Sequence, residues 1–503
     1  MATLSRPSSR CLRAIAAALL APFLMASALP RAALAQPVGL PDLGDSASTE
    51  LSPRLERRLG EAIMTDSEHD PDYIGDPAIR QYLTNLGGRL VAGAPPGAPD
   101  IRVFAVRDSE INAFSMPGGF IGVNAGLVVA AENESELAGV LAHEIGHVVQ
   151  RHIARGLVQQ KQNSLIMVAA LLAAVVAARG NSQAPEAAMA FGQAAAIDSQ
   201  LGFSRDAERE ADRTGFDMLN AAGFNVNGMA AFFGRLMQLT SVNEGTGNVF
   251  TRTHPLSIER MSDMQNRARS VPQHSYTDSP DFYFVRAKLR VLQSGGNAQE
   301  TLDAIRYLES RARDTTNGVE RAADLYGVAT GWMMRRDYAK ASQAYMEATS
   351  GARDHFMLAR LAVDLALAQG DTAHALELAR AAYARWPQQL TLAYAVGESL
   401  QRAGRDREAV DFLREQIGRW SEESGFRQML ANSYEKLGND VASRRNMADY
   451  YAMTGALPAA VEQLQQARRI SKDFYEQSQI DAQVRDLQRK QKEEQDLLKR
   501  FQS

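Results

Sequence analysis

Cysteine is almost absent: there is one in 503 residues, Cys11, near the start. Once the leading segment is removed, disulfides, a thiolate zinc site and a cysteine peptidase are all excluded. Long apolar runs are also missing. Ser164 to Ala178 is a run of 15 apolar or small residues, short of the roughly 20 that span a bilayer as a helix. An integral-membrane peptidase would need several such spans. No basic tract stands out and the net charge is −4, so nucleic acid is not an expected partner.

The first 35 residues read as a secretion signal. Arg6, Arg10 and Arg13 make a positive start, Ala14 to Leu29 an interrupted apolar core, and Ala33-Leu34-Ala35 a cleavage site before Gln36. A mitochondrial presequence is the other reading of the arginines, but the apolar core favours secretion. Removing 35 of 503 residues leaves 468, room for two domains or more. It also removes Arg6, Arg10, Arg13 and Arg31 and no acidic residue, taking the charge from −4 to −8. A cysteine-free secreted chain suits the periplasm of a Gram-negative bacterium.

What the sequence does contain is His143-Glu144-Ile145-Gly146-His147. Residues four apart share a helix face, so His143 and His147 can reach one metal ion. Glu144, beside the first of them, is placed to take a proton from an attacking water. Asn133, with Glu136 three residues later, supplies a helix start, and Leu137, Val140 and Leu141 an apolar stripe. A surface helix that happens to carry two histidines is the bland alternative.

A catalytic zinc usually takes three protein ligands. His152 is nearest, but it lies nine residues after His143, where the metzincin pattern needs ten and a glycine turn. On a continuing helix it points about 140° away from His147, so it is expected as a solvated or supporting histidine. The segment Ser204 to Asp212 offers a better candidate. A helix there could present Glu208 to the metal and Asp212, one turn later, to a ligand histidine. It could equally be an amphipathic helix with a charged outer face. Glu210 falls on the far side of such a helix from Glu208.

Taken together, these elements resemble the gluzincin zinc peptidases that include the CAAX-prenyl-protease and Oma-type enzymes. The matching segments are His143-Glu144-x-x-His147, Glu208-x-x-Ala211-Asp212, Asn112-Ala113-Phe114-Ser115-Met116-Pro117-Gly118-Gly119 and Thr253-His254-Pro255, across roughly residues 80 to 270. The resemblance implies one zinc per chain held by His143, His147 and Glu208, with Glu144 as general base and Asp212 supporting a ligand. For His254 it leaves three roles open: a fourth ligand in a self-inhibited resting state, a transition-state hydrogen-bond donor, or a structural loop histidine. Nickel or cobalt suits the same donor set.

Around the motifs, 50–65 and 76–92 look helical. Strands are expected over Ile101–Val106 and near 111–116 and 119–123, joined at Pro117-Gly118-Gly119. A strand carrying Asn112, Ala113 and Phe114, with the turn Pro117, Gly118 and Gly119, could align an extended substrate across the metal, or be a structural hairpin. Residues 164–196 read as an apolar helical hairpin that caps the site, touches a membrane surface, or is simply buried.

Beyond Pro280 the pattern is wholly helical. Gly370, Gly404 and Gly438 are spaced by 34, as are Ala341, Ala375 and Ala409, and Trp386 and Trp420. That is the period of tetratricopeptide repeats, paired helices stacked into a protein-binding superhelix. About four repeats are expected, with weaker ones near 282–310 and 426–470.

The expected fold is therefore α+β and mainly α. A gluzincin-type peptidase domain (36–275) precedes an all-α repeat solenoid (280–470) and a charged C-terminal helix (471–503). The expected function is a periplasmic zinc endopeptidase. It would degrade unfolded or misassembled envelope proteins, its repeats recruiting clients or the outer-membrane assembly machinery. A chaperone-like scaffold with a self-inhibited site is the competing reading.

Overall fold

The computed structural model of the protein describes residues 51–159, 204–242, 249–272, 275–351 and 354–502. The expected signal (1–35) and apolar hairpin (164–196) lie outside them. The described chain is mainly helical, with one four-stranded sheet.

In chain order come α1 (Pro53–Ser67), β1 (Tyr73–Ile74), α2 (Pro77–Val91), β2 (Arg102–Val106), β3 (Ala113–Met116), a turn at Pro117–Gly119, and β4 (Phe120–Asn124). The strand order is β1-β2-β4-β3, with β2 and β4 parallel and both outer pairs antiparallel. Phe104, Gly122 and Phe114 share one row of the register. The two rings meet edge to face, centroids 6.1 Å apart, over the position without a side chain.

After α3 (Ala125–Ala130) comes α4 (Glu134–Val149), which carries the two histidines. Its start is the expected cap: the Asn133 side chain accepts from the Glu136 N–H at 3.0 Å. Leu137, Val140 and Leu141 are fully buried, each worth about 1.5–3 kcal/mol of transfer free energy. The burial goes further than a stripe, because Glu134 to Val148 are all buried. α4 is the central helix, covered on every side.

α4 does not run on through His152. It ends at Gln150, and Arg151 takes the left-handed conformation at φ 53°. The Arg151 guanidinium holds that turn by donating to Leu51 O at 2.6 Å and Glu56 Oε2 at 3.1 Å. α5 (His152–Gln159) starts afresh, so the 140° offset of a continuous helix does not apply.

α6 (Arg205–Ala221) crosses α4 at close range. A Cβ at Gly146 would lie 2.7 Å from Ala211 O, and one at Gly215 would lie 2.8 Å from Ala142 O. Both positions need glycine for the backbones to touch. α7 (Asn227–Val242), α8 (Val249–Thr253) and α9 (Ile258–Ser270) complete this half.

Helical pairs follow: α10 (Pro280–Leu292) and α11 (Ala298–Asp314), α12 (Gly318–Met334) and α13 (Tyr338–Gly351), α14 (Phe356–Ala368) and α15 (Thr372–Arg385). Next come α16 (Leu390–Arg402) and α17 (Asp406–Arg419), α18 (Ser424–Lys436) and α19 (Asp440–Met453), then α20 (Leu457–Ile470) and the long α21 (Phe474–Gln502). Second helices begin at 338, 372, 406 and 440, keeping the 34-residue period. Ala341, Ala375 and Ala409 are fully buried where the helices of each pair meet. Gly370, Gly404 and Gly438 turn each pair at φ 83°, 68° and 73°. One period earlier the same turn is made by Arg336 at φ 59°.

The solenoid grips the N-terminal half through α2. Arg80 meets Glu423 at 2.5 Å, and Gln81 donates to Gln388 O at 2.8 Å and accepts from Leu390 N at 2.9 Å. Asp76 caps α2 and also pairs with Lys288 at 2.5 Å. Burial alone would raise the Asp76 pKa, but Lys288 outweighs it and holds the carboxyl below its ordinary value.

A left-handed non-glycine residue costs roughly 1–2 kcal/mol, more than the unfolded-state entropy of about 0.5–1 kcal/mol that glycine brings. Arg336→Gly should therefore stabilise by about 0.5–1 kcal/mol, and a thermal melt no higher than wild type would refute this. Asp76→Asn keeps the cap but strands Lys288, whose side chain is only 14% exposed; the loss should be about 2–3 kcal/mol at neutral pH. Because the Asp76 pKa is lowered, the stability it contributes is complete above about pH 4 and fades as pH falls further. The melting difference between wild type and variant should narrow in acid; an unchanged difference would refute the pairing.

Candidate metal centre

Four side chains converge where α4 and α6 cross. His143, His147, Glu208 and His254 each offer one ligand atom within 4.8 Å of the others, and all four are buried. His143 Nε2 lies 3.1 Å from His147 Nε2 and 3.4 Å from His254 Nδ1. Glu208 oxygens lie 3.5 Å from His143 Nε2, 3.6 Å from His147 Nε2 and 3.1 Å from His254 Nδ1. Zinc–ligand bonds of about 2.0–2.1 Å at tetrahedral angles separate ligand atoms by about 3.3–3.4 Å, close to these spacings. Three imidazoles and one carboxylate are also a donor set that zinc accepts.

Further side chains hold the converging ones in place. His143 Nδ1 sits 2.9 Å from Asp212 Oδ1, so its proton belongs there and the Nε2 lone pair faces the centre. Glu208 and Asp212 lie four residues apart on α6 and face α4 together. Arg260 joins both: Nε and Nη2 donate to Asp212 at 2.7 and 2.8 Å, and Nη1 approaches Glu208 at 2.8 Å. Ser257 caps α9 and Pro255 O accepts from Arg260 at 2.8 Å, so the loop carrying His254 is tied to the same guanidinium.

The electrostatics follow from this packing. Burial opposes charge on every group, yet Glu208 is held well below the ordinary carboxylate range, chiefly by His254 and then His143. Asp212 is lowered against burial by Arg260 and His143. His147 is pushed well below the ordinary histidine range by burial and by neighbouring His143. It stays neutral, the form that binds metal. His143 goes the other way, its burial outweighed by bonds to Asp212 and Glu208.

Glu144 is fully buried beside the cluster. Ser115 Oγ on β3 donates to Glu144 Oε2 at 2.9 Å, while Oε1 lies 3.5 Å from His254 Nε2 and has no hydrogen bond among the described residues. One carboxylate oxygen is fixed and the other faces the centre. A carboxylate held this way can accept a proton from a reactant at the cluster.

The strand expected to align a substrate is β3, at the outer edge of the sheet. Ala113 and Phe114 on it, Asn112 before it, and Pro117, Gly118 and Gly119 after it are all buried. The turn lies against α1, where Arg57 donates to Gly118 O at 2.9 Å.

Arg260 and Ser115 are the residues that sequence reasoning passed over. Ser115 lies within the Asn112–Gly119 segment, but a serine on a strand has no signal for which face it takes. Arg260 follows His254-Pro255 by five residues, and only its burial distinguishes it from the other arginines of α9.

The sequence profile described as Peptidase family M48 matches residues 77–268. A Vibrio cholerae protein provisionally named beta-barrel assembly-enhancing protease is 33% identical over 336 residues, covering 67% of this chain and 68% of that one. The beta-barrel assembly-enhancing protease of Escherichia coli K12 is 29% identical over 456 residues, covering 90% and 92%. The mitochondrial metalloendopeptidase OMA1 of Schizosaccharomyces pombe is 31% identical over 186 residues, covering 37% and 51%.

Arg260→Leu should leave two buried carboxylates without their counter-charge, a loss of about 3–5 kcal/mol. Arg260→Lys should recover only part of it, since an ammonium cannot reproduce the fork to Asp212. Chemical denaturation of the metal-free protein tests this; equal stability of all three would refute the clamp.

Proposed function

Because the chain belongs to peptidase family M48, and is thus a metallopeptidase, we propose that it works as a zinc endopeptidase on unfolded or misassembled envelope proteins in the periplasm of a Gram-negative bacterium. The observation that carries this reading is the convergence of His143, His147, Glu208 and His254 beside the Ser115-held carboxylate of Glu144. His143, His147 and Glu208 hold one zinc ion, and Asp212 and Arg260 keep two of those ligands in place. Bound there, zinc polarises a scissile carbonyl and acidifies water.

The chain's own residues do the rest. Glu144 takes a proton from the attacking water through Oε1 and returns it to the leaving amide nitrogen, while Ser115 keeps the carboxylate from rotating. His254 occupies the fourth corner at rest and must withdraw to admit substrate. The segment from Asn112 to Gly119 lies over α4 and sets the direction in which an extended chain crosses the centre. Domain limits of 36–275, 280–470 and 471–503 fit this division of labour, with 1–35 as the signal that exports the chain.

The repeats recruit clients or the outer-membrane assembly machinery. Two relatives are named for β-barrel assembly, and the repeat solenoid holds the peptidase half through α2. A second reading, a chaperone-like scaffold whose site stays closed, is favoured by one observation: His254 Nδ1 already lies 3.1 Å from Glu208 and 3.4 Å from His143.

Metal analysis paired with cleavage of unfolded casein tests both. One zinc per chain is expected in wild type and in Glu144→Gln, with cleavage by the variant reduced at least about 100-fold. His254→Ala should cut faster than wild type. Zinc without cleavage in both wild type and His254→Ala would favour the scaffold, and a chain without stoichiometric metal would sink the ligand assignment.

A further inference from the structure

His143 has a carboxylate behind it, and His147 has a histidine. His152 Nδ1 lies 2.9 Å from His147 Nδ1, with the rings edge to face at a centroid distance of 4.9 Å. The other nitrogen, Nε2, meets Glu210 Oε2 at 3.1 Å, and Arg155 reaches the same carboxylate oxygen at 2.9 Å. His152 is 3% exposed. A buried imidazole bonded at both nitrogens has one ring orientation available to it.

The direction of the protons follows from ligation. If His147 binds metal through Nε2, its proton is on Nδ1 and must be given to an acceptor. His152 supplies that acceptor only when its own proton is on Nε2, and the Glu210 carboxylate requires that tautomer. The three residues form a line in which each step dictates the next.

Backbone geometry builds the line. The left-handed turn at Arg151 brings His152 back beside His147, and the α4–α6 crossing that delivers Glu208 to the centre delivers Glu210, two residues on, to His152. We propose that His152 is a positioning residue for His147, holding its tautomer and ring plane through Nδ1 and held in turn by Glu210. The proposal rests on His147 being a zinc ligand.

Zinc affinity of the full-length protein, measured by competition with a chelator, tests it alongside a melt of each metal-free variant. Losing such a supporting partner typically weakens metal binding about 10–100-fold, and His152→Leu should fall in that range. His152→Asn places Oδ1 where Nδ1 stood, keeps the acceptor, and should return affinity to within about threefold of wild type. Glu210 is partly exposed, so Glu210→Gln should fold even if the leucine variant does not, and should bind several-fold more weakly than wild type. Leucine and asparagine variants equally weak, or Glu210→Gln as tight as wild type, would overturn the positioning role while leaving the metal centre intact. A wild type without stoichiometric zinc would overturn the centre and this role together.

Discussion

Two helices touch backbone to backbone where α4 crosses α6, and the chemistry of the site depends on that contact. Gly146 lies against the carbonyl of Ala211 and Gly215 against that of Ala142. Metal ligation tolerates errors of only about 0.2 Å in bond length, whereas a single Cβ in this seam would drive the helices apart by more. The glycines of the seam flank the converging side chains, so the same approach that packs the core sets the distance from His143 and His147 to Glu208.

Close approach creates an electrostatic problem. Three carboxylates and three imidazoles are buried together, and an isolated buried charge there would cost several kcal/mol. Arg260 answers it by bonding Asp212 with a fork and reaching Glu208 with its remaining amine. Because Pro255 O accepts from the same side chain, the loop bearing His254 belongs to the cluster. Stability of the buried cluster and placement of its third histidine, His254, are one interaction seen from two sides.

Periodic features were legible in the sequence because they depend on local geometry. The 34-residue spacing of glycines and alanines matched the helical pairs, and the Asn133 start of α4 matched its cap. The signal weakened where one residue departs from type. Arg336 turns the first in-register pair in place of glycine, so the repeat is present where its marker is not. His152 shows a different limit: helical spacing gives its direction only for a helix that continues, while Arg151 ends the helix through bonds to Leu51 and Glu56, about a hundred residues away.

What the sequence by itself determined was the chemistry available: His143, Glu144 and His147 on one helix, an acidic pair at 208 and 212 on another, and a repeat array behind them. Spacings of three, four and thirty-four residues are properties of helices and survive without tertiary context. Only the folded chain decided which groups meet. Whether Glu208 faces the histidines or solvent depends on the glycine seam. That His254 reaches Glu208 and His143 depends on a loop tied down by Arg260, and that Ser115 finds Glu144 depends on β3 lying over α4. These contacts join residues 29 to 111 positions apart, and no local propensity encodes a distance through space between segments that meet only when the core forms.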